Sequence, residues 1–303
     1  MVQNWQLARK RTTLEKRARI VQAIRAFFIE RDFLEIETPQ RIPANAPELH
    51  IDAVASGDWF LQTSPELAMK RLLAAGYERL FQISHCWRDG ERGQFHLPEY
   101  TMLEWYRADC DYHRLMADCE ELFAALTEDS VLHYQGEKID LTRPWPSLTI
   151  ATAFNRYAPV SVEEALRQGR FDELIITAIE PQLPKNRPLF LTEYPISQAA
   201  LARQKPTDSS VAERFELYIG GMELANAFSE LVDPVEQRQR FVNEEAQRRS
   251  AGKPAYPAPE PFLQEIISMP ESAGIALGID RLIMLFCDLS KIDDSVAIPP
   301  ELL

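Results

Sequence analysis

Residues 213–231, with the sequence ERFELYIGGMELANAFSEL, are typical of two β-strands joined by a tight turn at Gly220-Gly221. Apolar and polar residues alternate on both sides of the glycines, which is the pattern of antiparallel strands with one buried face. Paired glycines readily adopt the positive backbone angles that a two-residue hairpin turn needs. This segment therefore predicts two adjacent antiparallel strands within a larger sheet.

Further strand pairs and helices are predicted along the rest of the chain. RLFQISHCW (79–87) and EYTMLEWYRAD (99–109) alternate like a second antiparallel pair, joined by a polar loop. Apolar residues at helical spacing predict helices over 13–31, 66–76 and 111–129. Because strands do not alternate regularly with helices, we predict an α+β fold with a mainly antiparallel sheet flanked by helices, in a single domain over residues 1–303.

The N-terminal third carries two more local predictions. Thr12 and Glu15 have the spacing of a capping box, so we expect the first helix to begin there. FLEIETP predicts a short strand ended by Pro39. Residues 40–58 are expected to be irregular.

The composition argues against several classes of function. The 303-residue chain carries 46 acidic and 33 basic residues, for a formal net charge of -13. This surplus of acids opposes binding of a nucleic-acid backbone over a broad surface, where affinity comes from many Lys and Arg contacts. No apolar run approaches the roughly 18 residues of a membrane span, and no signal peptide is recognisable, so a cytoplasmic protein is predicted. The four cysteines lack the spacing of a zinc site.

Two glutamates of the 213–231 hairpin are candidate metal ligands. A two-residue turn pairs 219 with 222, 218 with 223 and 216 with 225, which makes Glu216 and Glu223 diagonal neighbours on one face. Mg²⁺ is commonly shared between one or two carboxylates and substrate phosphates, so the pair could hold it; a solvated acidic face is an equal alternative. Asn226 faces away from Glu223 by simple alternation, and would join the same site only if a bulge near Ala225 turned the strand.

Arginines are concentrated near residues 79–107, where an anion could bind. Arg88 follows a strand and could present its guanidinium at the rim of the sheet, although an ordinary surface salt bridge is the alternative for this residue alone. Arg281 lies in the first turn of the last predicted helix, which also favours an anion. Two arginines on separate elements could hold one polyphosphate from two sides. His96 could donate to a phosphate or satisfy a local hydrogen bond.

The remaining acidic and aromatic candidates would form a site only if the fold brought their side chains close together. Glu66, Glu104 and Glu230 around an apolar pocket would select a substrate that carries an ammonium group. Tyr100 and Phe228 could stack on a ring, or could simply belong to the core. The chain has no phosphate-binding loop of the GxxxxGK type and no GxSxG motif, so a covalent enzyme nucleophile is not indicated.

Three segments resemble the motifs of class II aminoacyl-tRNA synthetases. FLEIETP is similar to motif 1, the run from Arg88 through LPEYTMLEWY to motif 2, and GIALGIDRL to motif 3. TSPELAMKRLL and the 213–231 hairpin narrow the resemblance to the lysyl branch. The chain is most similar to members of that branch that lack an anticodon-binding OB domain and attach (R)-β-lysine to elongation factor P.

The resemblance implies ATP and Mg²⁺ as cofactors and assigns roles by position. It implies a nucleotide site formed by Arg88, Asp89, Glu91, His96, Tyr100, Glu223, Leu224, Gly278 and Arg281, with Arg88 and Arg281 as catalytic residues. It implies an amino-acid pocket formed by Ser64, Glu66, Glu104, Tyr106, Asn226, Phe228, Glu230 and Ala276. It implies Glu216 and Glu223 as magnesium ligands.

The chain departs from the family pattern at three positions. Gly90 stands where motif 2 usually has glutamate, with Glu91 one place later, and Leu97 stands where asparagine is usual. Ala276 replaces a glycine of lysyl-tRNA synthetases, and a methyl-sized change in a pocket is worth about 1 to 3 kcal/mol of discrimination.

The expected activity is activation of lysine or (R)-β-lysine and transfer to a lysine side chain of elongation factor P, by a homodimer. Charging of tRNA without an anticodon domain and a catalytically inert binding module are the alternatives.

Overall fold

The computed structural model describes residues 5–199 and 201–303. Its α-helices are α1 (Trp5–Ala8), α2 (Arg11–Ile29), α3 (Glu66–Ala74), α4 (Tyr112–Leu126), α5 (Ile150–Tyr157), α6 (Val162–Arg167), α7 (Phe171–Leu174), α8 (Pro234–Ser250), α9 (Glu260–Glu265) and α10 (Ile279–Phe286). Its strands are β1 (Leu34–Glu35), β2 (Arg41–Ile42), β3 (Ala55–Ser56), β4 (Trp59–Leu61), β5 (Arg79–Trp87), β6 (Glu99–Ala108), β7 (Val131–Tyr134), β8 (Glu137–Asp140), β9 (Ser147–Thr149), β10 (Leu189–Thr192), β11 (Gln204–Lys205), β12 (Asp208–Ala212), β13 (Arg214–Ile219), β14 (Met222–Ser229) and β15 (Ser272–Gly278). No helix of the described ranges is both long and apolar enough to cross a bilayer.

An eight-stranded sheet in the order β1-β5-β6-β15-β14-β13-β10-β9 organises the molecule. Neighbouring strands from β5 to β10 are antiparallel, whereas β1 and β9 add to the two edges in parallel. The prediction of an α+β fold with a mainly antiparallel sheet flanked by helices is confirmed.

The two faces of the sheet are buried differently. On one face, Phe28 of α2 packs against Phe81 and Trp105, with ring centroids 4.9 and 5.2 Å apart. Buried residues of helices α4 and α10 extend that core, so this face of the sheet is covered. On the other face, α3, α8 and α9 cover only part of the sheet around Leu80 and Tyr106. The part of this second face that these helices leave uncovered forms the floor of the cavities described below.

Helix α2, which corresponds to the first predicted helix, begins earlier than the capping box predicts. Arg11 is its first residue, Lys10 is the N-cap, and no side chain caps the helix, so Thr12 lies inside the first turn. The Lys10 ammonium instead donates to the carbonyl oxygens of Asp293 and Val296, at 2.5 and 2.9 Å. This contact holds Lys10 against the C-terminal segment, but an ammonium is a donor and does not cap the backbone N–H groups of the helix.

The prediction that residues 40–58 are irregular was partly wrong. Strands β2 and β3 lie in this segment and pair with β4 in a small three-stranded sheet. The loop between them, residues 43–54, is held in place by Arg248 of α8, whose side chain is completely buried. Its guanidinium donates to the carbonyl oxygens of Glu48 and Ile51 at 2.7 and 2.8 Å. A segment that was predicted to be irregular is therefore held in one position beside the uncovered face of the sheet.

Candidate active site

A β-bulge in β14 brings the polar residues of the hairpin onto one face. Tyr218 pairs with Glu223 as predicted, but Leu217 pairs with Ala225 and Glu216 with Asn226, so Leu224 is the extra residue. The predicted pairing of 216 with 225 was wrong by one residue, whereas the predicted bulge is confirmed. Because one inserted residue reverses the alternation, Glu223 and Asn226 face the same side.

Two rows of residues cross the uncovered face of the sheet. Glu104 of β6, Ala276 of β15, Asn226 of β14 and Glu216 of β13 are successive register partners in the first row. Tyr106, Gly274, Phe228 and Arg214 form the second row in the same order. Residues predicted separately from four strands therefore lie side by side.

A cavity of about 320 Å³ lies at one end of these rows. Of the residues assigned to the nucleotide, it is lined by Arg88, Glu91, His96, Tyr100, Glu223, Leu224, Gly278 and Arg281. Glu216, Asn226 and Ala276 also line it. Asp89 is exposed and outside the lining, because its backbone nitrogen is bonded to the carbonyl of Asp52 at 2.7 Å. We refer to this space as the nucleotide cavity.

Arg88 enters the nucleotide cavity with an unused hydrogen-bond donor. Its Nε is buried and has no partner among the described residues. Its guanidinium carbon lies 5.3 Å from the centroid of the Tyr100 ring, and Nη1 lies 3.6 Å from a Glu91 oxygen. A buried donor without a partner costs free energy, and an anion in the cavity would satisfy it.

Glu91, one place later than the glutamate of the family motif, lines the nucleotide cavity. Gly90 has φ of 75°, a conformation in which glycine is unstrained, and the chain turns there so that Glu91 reaches the cavity. Leu97 is buried against the main core, with 2% of its surface exposed. Glu91 is therefore available to the cavity from its shifted position, whereas Leu97 packs against the core at the edge of the same cavity.

Arg281 lies in the same cavity as Arg88. It donates to the carbonyl of Glu223 at 2.7 Å and to the Glu223 carboxylate at 3.1 Å. It also donates to Nε2 of His96 at 2.7 Å, which requires that ring nitrogen to be unprotonated. Burial and the Arg281 charge lower the pKa of His96, in agreement with a neutral ring.

The other arginines of the 79–107 region do not line the nucleotide cavity. Arg107 is paired with Asp118 at 2.7 Å, and Arg79 lies 3.8 Å from Asp32. Arg92 is bonded to Asp293 and Glu301 at the surface. The arginines that cluster in the sequence therefore do not cluster at the site. Arg79 and Arg107 pair with each other at the end of β5 and β6 that is far from Arg88.

The two carboxylates of Glu216 and Glu223 are suited to hold a cation that also binds phosphates. Both carboxylates line the nucleotide cavity. Burial and the neighbouring Glu223 raise the pKa of Glu216, so a cation between them would stabilise its ionised form. No group of three or more His, Cys, Asp or Glu suited to a metal occurs in the described part of the chain, so two carboxylates would have to be completed by other oxygens, as Mg²⁺ accepts.

The predicted ammonium pocket is a closed cluster next to the nucleotide cavity. Ser64 and the Tyr106 hydroxyl donate to the two oxygens of Glu104 at 2.6 and 2.7 Å. Glu104, Tyr106 and Glu230 are almost completely buried and do not line the cavity. Glu66 lies beside them on the first turn of α3.

Lys70 occupies the middle of this acidic cluster, and sequence reasoning missed it. Its side chain is buried, its ammonium is bonded to Glu66, and it lies 2.5 Å from an oxygen of Glu230. It also lies 5.0 Å from the centroid of the Phe228 ring. Lys70 is one helical turn after Glu66, and that spacing was the only available signal. The acids that would bind a substrate ammonium are thus partly neutralised by an internal one.

Gly274 makes the close packing of this cluster possible. A Cβ at this position would lie 2.2 Å from Cε1 of Tyr106 and 2.4 Å from Oε1 of Glu230. We expect Gly274→Ala to destabilise the protein by about 1 to 3 kcal/mol, because the added methyl overpacks the site. Urea denaturation measures this change. Gly278→Ala is the matched control, since its Cβ would meet only Arg281 at 3.8 Å, and an equal loss in both variants would contradict the argument.

A second cavity of about 450 Å³ opens beside the first, and we call it the outer cleft. Phe228 lines the outer cleft only, whereas Asn226, Arg214, Ile51 and Glu48 line both spaces. Arg214, also missed in the sequence, donates to Asn226 at 3.0 Å and to Glu216 at 2.6 Å. The two cavities therefore adjoin along the first residue row.

Comparisons with known proteins show the family of the chain. A family model described as class II tRNA synthetases (D, K and N) matches residues 3–301. The chain is 37% identical to the elongation factor P (R)-β-lysine ligase of Erwinia tasmaniensis, with 97% of each protein covered. It is 38% identical to the proteins of that name from Edwardsiella ictaluri and Proteus mirabilis, with 97% and 98% of each covered. With its three motifs, its antiparallel sheet and its paired arginines, the chain belongs to the family of class II tRNA synthetases (D, K and N).

Proposed function

We propose that this protein is an ATP-dependent ligase that activates lysine or (R)-β-lysine and transfers it to a lysine side chain of elongation factor P. The observation that carries the proposal is the nucleotide cavity, in which Arg88 and Arg281 lie together with Glu216 and Glu223. The buried acids Glu104 and Glu230 and the partly buried Glu66 adjoin it and suit an amino acid with an additional ammonium group. The printed names of the relatives support elongation factor P as the acceptor.

In the first step the carboxylate of the amino acid attacks the α-phosphate of ATP. Arg88 would stabilise the charge that develops on the phosphate, since its side chain lines the cavity and a guanidinium offers a fork of donors. Arg281 would hold the departing pyrophosphate. Mg²⁺ held by Glu216 and Glu223 would supply further positive charge to the phosphates. The acyl-adenylate is then captured by the amine of the acceptor lysine.

ATP-pyrophosphate exchange with a panel of amino acids tests the first step. We expect exchange with (R)-β-lysine or lysine above the rate with ornithine, arginine and glutamate. Transfer of the radiolabelled amino acid to purified elongation factor P and to purified tRNA then tests the acceptor. Exchange at background with every amino acid would overturn the ligase proposal, and labelling of tRNA alone would replace the acceptor.

Amino-acid affinity should rise with pH between about 6 and 8. Burial, with a further contribution from Glu66, raises the pKa of Glu104 to about 8, and burial also raises that of Glu230 to about 8. Protonation of these carboxyls therefore competes with binding of an ammonium, which favours their ionised forms. Each proton released makes the dissociation constant fall by up to about tenfold per pH unit.

Calorimetric titration with lysine in two buffers of different ionisation enthalpy measures the protons released. Glu104→Gln should release one proton fewer than the unmodified protein. A binding enthalpy that does not depend on the buffer would contradict the expected coupling.

We also propose a homodimer formed through α2 and β1. Ile29 and Leu34 at this surface are 57% and 49% exposed, and large apolar residues commonly cover one another at an interface. Analytical ultracentrifugation should give twice the mass of the 34.8 kDa chain, whereas a monomer at micromolar concentration would refute it.

A further inference from the structure

We propose that Glu48 accepts the proton that the acceptor amine must lose when it attacks the acyl-adenylate. This inference rests on the proposed function and deepens it, because it assigns a base to the transfer step. An amine nucleophile at neutral pH is mostly an ammonium ion, which cannot attack a carbonyl until a base removes a proton.

Glu48 lies where the cavities of the molecule meet. The nucleotide cavity, the outer cleft and a third cavity of about 310 Å³ beside Ser64 and Glu66 are separate spaces. Within the described ranges, Glu48 is the only residue that lines all three. A lysine side chain that entered through the outer cleft would reach this junction next to the nucleotide.

The backbone at Glu48 is held firmly, as a catalytic group requires. Besides the bond from buried Arg248 to its carbonyl, the next residue, Leu49, donates its backbone N–H to Glu244 at 3.2 Å. Asp52 at the end of the loop accepts a bond from the backbone of Asp89, next to Arg88, at 2.7 Å. The loop that carries Glu48 is therefore tied both to α8 and to the end of β5.

The other acids of the junction already have partners. Glu66 and Glu230 contact Lys70, and Glu104 accepts bonds from Ser64 and Tyr106. Glu216 accepts from Arg214 and lies within hydrogen-bond distance of the Tyr218 hydroxyl, and Glu223 is paired with Arg281. Glu91 is paired with Arg88, and Glu244 accepts from the backbone of Leu49. The Glu48 carboxylate accepts no hydrogen bond from the described part of the chain, so it remains free for an incoming amine.

The charges around Glu48 suit a base at neutral pH. Burial raises the pKa of Glu48 to about 7, and the acids Glu66 and Glu244 act in the same direction. The arginines that face it, Arg88 and Arg214, oppose that shift. A general base is most effective when its pKa lies near the working pH.

The transfer balances with one base and one leaving group. The ε-ammonium of the acceptor gives a proton to a Glu48 oxygen, and the resulting amine nitrogen forms a bond to the acyl carbon. The bond between that carbon and the phosphate oxygen breaks, and AMP departs with the electron pair. The second proton on nitrogen leaves with the AMP phosphate, and Glu48 returns its own proton to solvent through the outer cleft.

Glu48→Gln separates the two steps of the reaction. We expect transfer from preformed adenylate to elongation factor P to fall by about 100-fold or more in single-turnover assays, and pyrophosphate exchange to fall far less. Transfer to hydroxylamine, which is largely unprotonated at neutral pH, should largely be retained, because that acceptor needs no base. Glu48→Asp should recover part of the transfer to the protein. The unmodified protein should show a rise in transfer rate up to about pH 7 that Glu48→Gln lacks.

Glu236→Gln is the matched control, because Glu236 is a glutamate on α8 that is paired with Arg240 and lines none of the three cavities. It should transfer at the rate of the unmodified protein. Equal losses with hydroxylamine and elongation factor P, or an unchanged rate in Glu48→Gln, would overturn the role of Glu48. Absence of adenylate in the unmodified protein would instead refute the proposed function.

Discussion

Arg88→Ala is expected to lower the rate of pyrophosphate exchange by about 100- to 1,000-fold, which is the usual loss when one donor to a developing anion is removed. Arg88 lines the nucleotide cavity, and its Nε has no hydrogen-bond partner among the described residues. The ion contact of Arg88 with Glu91 is 3.6 Å long and partly exposed. The contacts of the Arg88 side chain within the protein are thus weak, so its removal should affect phosphate binding more than stability.

Stability and a second arginine provide the controls for this variant. We expect the free energy of unfolding of Arg88→Ala to change by less than about 1 kcal/mol, as for other weak ion pairs. Arg92→Ala removes a guanidinium from the same loop that is bonded to Asp293 and Glu301 at the surface, and it should leave exchange unchanged. Arg88→Lys keeps the charge but loses the fork, so its activity should lie between the two. Equal exchange in Arg88→Ala and Arg92→Ala would exclude Arg88 from the reaction.

Lys70→Met should destabilise the protein by about 3 to 5 kcal/mol, because it removes one partner of a buried ion cluster and leaves the other partners unpaired. The ammonium of Lys70 contacts Glu66 and Glu230, and the side chain is 1% exposed. The Lys70 charge lowers the pKa of Glu230 against the effect of burial, so its loss should raise that pKa further. The destabilisation should therefore be larger at about pH 8 than at about pH 6, because at pH 8 Glu230 of the folded variant must stay protonated while the same carboxyl is ionised in the unfolded chain.

Urea denaturation at the two pH values measures both effects of Lys70. The double variant Lys70→Met/Glu230→Gln should recover much of the lost stability, since both members of the pair are then uncharged. Arg71→Met removes the adjacent charge, which is paired with Glu265 at the exposed surface, and should change stability by less than about 1 kcal/mol. A loss in Lys70→Met as small as that in Arg71→Met would show that the buried cluster contributes no stability.

Much of the fold follows from patterns that are local in sequence. The strands at 79–87, 99–108 and 214–229 were predictable because alternation and turn glycines act over a few residues. The bulge in β14 was also predictable, from the conflict between Glu223 and Asn226 in simple alternation, although its register differed by one residue. The start of α2 was not predicted correctly from the capping box, because the helix begins at Arg11 without a side-chain cap and Thr12 lies inside its first turn.

Some features of the candidate site could likewise be predicted from the sequence, whereas others could not. Sequence motifs alone determined that Arg88, Arg281, Glu216 and Glu223 belong to one group, because their spacing matches a known arrangement of strands and a helix. Only the tertiary structure decided that Lys70 lies among the buried acids, that Asp89 lies outside the cavity and that the Glu48 carboxylate accepts no hydrogen bond from the described residues. The physical reason is that hydrogen bonding, burial and charge pairing depend on neighbours from distant parts of the chain, which no local pattern records.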